Sequence, residues 1–89
     1  MPKAEISWKR VTHEGTRLQV YARRVGGEWL FHQREKRYDR WQHVEAPPLE
    51  DWLELLDAVR RLIPRRRVRP EEEQRIMNSI KQRFPEAQV

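Results

Sequence analysis

Six arginines fall within ten residues: Arg60, Arg61, Arg65, Arg66, Arg67 and Arg69. The formal net charge is +5, so this run alone makes an otherwise slightly acidic chain basic. A guanidinium group presents its N–H donors in a planar fork that matches phosphate and carboxylate oxygens. A concentrated patch of them fits phosphate, a nucleic acid or an acidic protein surface. The run can also be a solvated loop. Arg60 and Arg61 then complement the C-terminal end of a helix, and the rest pair with Glu71, Glu72 and Glu73 at about 0–1 kcal/mol each. Against that, Arg65, Arg66 and Arg67 are consecutive, and adjacent guanidinium groups repel one another unless an anion visits.

Bond-making chemistry finds little to work with. The chain has no Cys, which removes thiolate nucleophiles and thiolate metal ligands. Ser7 and Ser79 stand in no nucleophile motif, and the glycines form no phosphate loop. His13, His32 and His43 share no repeated ligand spacing and are read as imidazoles on a polar face. No catalytic residue, metal or cofactor is implied, and the chain is read as a binding module and not an enzyme. The absence of Cys fits a reducing, cytoplasmic location. No apolar run nears the roughly 20 residues of a membrane span, and Met1-Pro2-Lys3-Ala4-Glu5 lacks the apolar stretch of a secretion signal.

The elements that position these residues fit one domain spanning residues 1–89. Residues 5–13, 17–25 and 28–35 alternate as strands, separated by Glu14-Gly15-Thr16 and Gly26-Gly27, where glycine supplies the positive φ of tight turns. A two-residue loop at Gly26-Gly27 pairs Val25 with Glu28, Ala22 with Phe31 and Val20 with Gln33. A three-residue first loop pairs Trp8 with Ala22 and Thr12 with Leu18, which keeps Trp8 inward. The core face then carries Ile6, Trp8, Leu18, Val20, Ala22, Trp29 and Phe31. Arg10 also falls on it, opposite Val20, unless a bulge near Val11 turns it away. The other face carries Lys9, Arg17, Arg23 and Arg34 with Tyr21, a ring among cations that can stack on a base. A fourth strand is expected over 40–45 after a turn from Lys36 to Asp39, with either Trp41 or Val44 pointing inward.

Pro47-Pro48 ends the sheet. Apolar positions 49, 52, 53, 55, 56, 59, 62 and 63 predict a first helix over 48–63, with a stripe wide enough to meet two neighbours. Leu53, Leu56 and Ile63 are expected among its packing contacts. Pro64 stops it. A second helix is predicted over 70–84, opened by Pro70 and an acidic first turn. The fold class is α+β: an antiparallel meander of three or four strands, with two C-terminal helices packed on one face.

A three-stranded sheet followed by a helix resembles, in element order, the small DNA-binding domains of phage integrases and of one class of plant transcription factors. These lay a sheet on DNA. No motif of either family stands in this chain, and the second helix has no counterpart in that plan. The function expected is a small nucleic-acid-binding module. It acts through Arg65, Arg66, Arg67 and Arg69 and through the sheet face of Lys9, Tyr21, Arg23 and Arg34. The alternative is a protein-interaction or regulatory subunit that docks through the Arg loop or the apolar stripe of the first helix.

Overall fold

A computed structural model describes residues 5–89. Met1, Pro2, Lys3 and Ala4, part of the stretch read above for a secretion signal, lie outside them. Four strands come first: β1 (Glu5–Val11), β2 (Arg17–Val25), β3 (Glu28–Arg34) and β4 (Gln42–Val44). Two helices follow, α1 (Leu49–Leu62) and α2 (Glu71–Arg83). The strands form one antiparallel sheet in the order β1-β2-β3-β4. This is the α+β order expected, a meander and then two helices. The chain divides into two compact units, one ending at Ala46 and one beginning at Pro47.

In the sheet unit the second hairpin has the expected register, Val25↔Glu28, Ala22↔Phe31 and Val20↔Gln33. The positive φ falls on Gly26, at +63°. The first hairpin slips by two residues from the expected pairing. Ile6, not Trp8, faces Ala22; Trp8 faces Val20; Arg10 faces Leu18. Turn chemistry explains the slip. A three-residue loop of this kind is a type I turn followed by one left-handed residue, so its glycine belongs at the last position. Loop residues 13–15 put Gly15 there, at φ +86°. Thr12 N–H donates to Thr16 O at 2.8 Å, and Thr16 N–H donates to Thr12 Oγ1 at 3.1 Å, which closes the loop.

A slip of two leaves every side chain on its expected face. Ile6, Leu18, Val20, Ala22, Trp29 and Phe31 are buried. Trp8 is half-buried, with its ring edge-on to Phe31 at 6.1 Å between centroids. The ladder runs unbroken to Val11↔Arg17, so no bulge relieves Arg10, which stays half-buried on the core face. Val44 faces Phe31, which places it on the core face. Trp41 contacts Tyr21 instead, on the polar side.

The helix unit is an antiparallel hairpin. Arg60, near the end of α1, donates from Nε to Glu73 Oε2 near the start of α2, at 2.6 Å. Arg83, at the end of α2, lies over the Trp52 ring near the start of α1, 4.9 Å from its centroid. Leu55, Leu56, Val59, Ile76 and Ile80 are buried. The buried arc of α1 is rotated from the one its apolar residues trace. It takes in Asp51 and Ala58 and leaves Leu53 40% exposed. Leu56 is therefore core as expected, Ile63 is half-buried, and Leu53 is not core.

Candidate nucleic-acid interface

Each unit carries basic residues on its surface, held by its own backbone. In the helix unit the six arginines separate into two kinds. Arg60 is paired with Glu73 at 2.6 Å, and Arg61 lies 3.6 Å from Asp57 one turn earlier. Arg65, Arg66, Arg67 and Arg69 are all exposed. Among the described residues none of these four makes an ion pair or a side-chain hydrogen bond. The pairing of Arg65, Arg66, Arg67 and Arg69 with Glu71, Glu72 and Glu73 that a solvated loop would give is therefore not found among the described residues; it is Arg60, expected at the helix end, that reaches Glu73. Glu72 is buried, 3.9 Å from Arg75.

The backbone under the four free arginines is ordered by hydrogen bonds. Arg66 N–H donates to Ile63 O at 2.9 Å, and Arg67 N–H donates to Leu62 O at 3.2 Å. With Arg66 at φ +57°, this is the Schellman ending of a helix, in which the left-handed residue is usually glycine. An arginine there costs about 1–2 kcal/mol of steric strain. Glycine would relieve that strain while losing more backbone entropy on folding. Arg66→Gly is therefore expected to stabilise the protein by roughly 0.5–1 kcal/mol, read as a rise in the urea midpoint. An unchanged or lower midpoint would show that the strain is compensated locally. Strain retained at one position is a feature of functional surfaces.

In the sheet unit the polar face carries rows of cross-strand neighbours. Ser7, Tyr21, His32 and His43 form one row across all four strands, and Lys9, Gln19 and Arg34 form the next. Tyr21 stacks on His32, with centroids 4.7 Å apart and planes 18° apart. Trp41 meets Tyr21 nearly at a right angle at 4.6 Å. Arg34 lies over the Trp41 ring at 4.1 Å, and its Nε donates to Gln19 Oε1 at 2.7 Å. The sequence placed Tyr21 among Lys9, Arg23 and Arg34. In the fold its ring contacts are His32 and Trp41. Arg34 is half-buried and engaged, while Lys9 and Arg23 are exposed. An open groove of about 400 Å³ runs between Glu5, Ser7, Tyr21 and Trp41.

His32 and His43 are adjacent, with ring centroids 5.4 Å apart. Among the described residues no three His, Cys, Asp or Glu side chains gather in a group able to hold a metal ion. His32 Nε2 is buried with no hydrogen-bond partner among the described residues. Burial, then the Arg23 charge, then His43 hold its pKa below the ordinary 6.5. The unfolded chain therefore binds this proton first as pH falls. The stability tied to a neutral His32 is complete above about pH 6.5 and is lost as pH drops from there through the folded value. His32→Phe keeps a ring against Tyr21 and cannot titrate. Relative to this variant, the wild-type urea midpoint should fall between neutral and mildly acidic pH. Parallel midpoints across that range would remove His32 as the cause.

Among the described residues, no helix is long and apolar enough to cross a membrane. No protein-family model, curated protein or solved structure matches this chain.

Proposed function

We propose that the protein is a small nucleic-acid-binding module that holds phosphates through its inter-helix arginine turn and its basic sheet face. One observation carries this reading. Four exposed guanidinium groups, Arg65, Arg66, Arg67 and Arg69, have no anionic partner among the described residues, and they project from a hydrogen-bonded turn. Like charges held together on an ordered backbone repel, and a polyanion relieves that repulsion. No base-reading motif stands beside them, so the binding is electrostatic and tolerant of sequence. Exposed Lys9 and Arg23 add phosphate contacts on the sheet unit.

The test is a titration of the protein against duplex DNA, single-stranded DNA and RNA at about 50 and 200 mM salt, with a steep loss of affinity expected between them. No binding to any of the three at the lower salt would sink the proposal. The second reading, a protein-interaction or regulatory subunit, draws on Leu53, which is exposed on the outer side of α1. A single exposed leucine is common on protein surfaces, and the Arg turn serves this reading equally only if its partner is acidic.

A further inference from the structure

The seven-residue segment between β3 and β4 holds three cations, Lys36, Arg37 and Arg40, two aromatic rings, Tyr38 and Trp41, and two acids, Glu35 and Asp39. Its backbone is a closed turn. Asp39 N–H donates to Lys36 O at 2.9 Å, and Lys36 N–H donates to Asp39 Oδ2 at 3.0 Å. The Asp39 carboxylate is thus engaged in holding the turn, and Glu35, exposed at the start of the segment, leaves the three cations in excess by one charge. Arg37 and Tyr38 occupy the two central positions, and Tyr38 is 94% exposed. Among the described residues the Tyr38 ring has no ring, hydrogen-bond or ion-pair partner. At the foot of the turn an open groove of about 450 Å³ is lined by residues that include Arg34, Asp39, Arg40 and Gln42.

A phenol ring left wholly in water contributes almost nothing to folding, and a turn offers many better-solvated choices. What it offers is a free π surface, flanked in the chain by Arg37 and, two residues on, Arg40. A nucleotide brings a flat base and an anionic phosphate together, and matches both features at once. In a duplex the bases are already stacked on one another, so only an unpaired base has a face to offer. The geometry points to the β3–β4 turn as a single-strand reader: Tyr38 takes one unpaired base by stacking, while Arg37 and Arg40 hold the flanking phosphates. This rests on the nucleic-acid reading above and adds to it a preference for single strands that resides in the sheet unit.

The experiment compares wild type, Tyr38→Ala and Tyr38→Trp in anisotropy titrations at about 50 mM salt. The probes are labelled oligothymidine, the same strand carrying abasic sites, a DNA duplex and poly-glutamate. Tyr38→Ala should weaken oligothymidine binding by about 5- to 150-fold, the range for removing one stacking ring. Tyr38→Trp should retain it. Duplex affinity should not move, and the abasic strand should bind wild type no better than intact strand binds Tyr38→Ala. Undiminished oligothymidine binding by Tyr38→Ala, with duplex still bound, overturns the single-strand inference and leaves the nucleic-acid reading standing. Equal losses on duplex and single strand also overturn the inference. Failure of wild type to bind any nucleic acid overturns both. Binding to poly-glutamate as tight as to oligothymidine, and equally weakened by Tyr38→Ala, would assign the turn to an acidic protein surface and overturn the inference.

Discussion

Replacing Phe31 by alanine is expected to destabilise the protein by about 3–5 kcal/mol, the usual range for emptying a buried aromatic site. Phe31 is 1% exposed, and it is central on the core face of β3. Ala22 lies across one ladder and Val44 across the other, with the Trp8 ring edge-on at 6.1 Å. Neither a small Ala22 nor a short β4 can move in to refill the space, so the cavity persists and its cost is added to the lost transfer energy. A chain of 89 residues at about 0.05–0.15 kcal/mol per residue has roughly 4–13 kcal/mol in all. The substitution removes about a quarter or more of that and should lower the urea midpoint markedly. Tyr38→Ala, at a ring almost wholly in water, should stay within about 0.5 kcal/mol of wild type. Similar midpoints for the two variants would mean that Phe31 is not a core residue.

Some of this fold follows from a few residues, and the misses are equally specific. Gly26-Gly27 allows one two-residue loop, so the β2–β3 register is determined. In the first hairpin, two registers that differ by two residues present the same face, and alternation cannot separate them. The decision lay in a glycine's place within a three-residue loop and in the Thr12 hydroxyl. β4 spans three residues, too short for a periodicity, and the side taken by Trp41 was therefore open. That one placement hid the aromatic cluster, because the row from Ser7 to His43 exists only once β4 is in register with β3. On α1, hydrophobicity traces a stripe that includes Leu53, whereas the packed arc includes Asp51. A carboxylate inside a helix unit is invisible to an apolar pattern. The basic residues were found by composition. Which of them are free was not, since Arg60 is claimed by a glutamate 13 positions away in sequence.

That last distinction makes the largest binding prediction. Each phosphate contact with duplex DNA contributes about −0.9 to the slope of log affinity against log salt. If Arg65, Arg66, Arg67 and Arg69 each make one, their joint slope is about −3.6, and a rise from 50 to 200 mM costs them about 150-fold. Replacing Arg65, Arg66 and Arg67 together by alanine should flatten the slope by about 2.7, so that the remaining contact loses only about 3- to 4-fold over the same range. Affinities for unrelated sequences should fall alike, because phosphate contacts carry no sequence information. Arg60→Ala with Arg61→Ala removes two formal charges from the same run. Their guanidinium groups already face Glu73 and Asp57, so the slope should move far less per charge removed. If affinity followed net charge alone, each arginine would count the same and the double variant would lose about two thirds as much slope as the triple. A slope change per arginine that is equal in the two variants would show that the patch acts as diffuse charge. A much larger change per arginine in the triple variant would locate the phosphate contacts on the turn that Arg66 holds in its left-handed conformation.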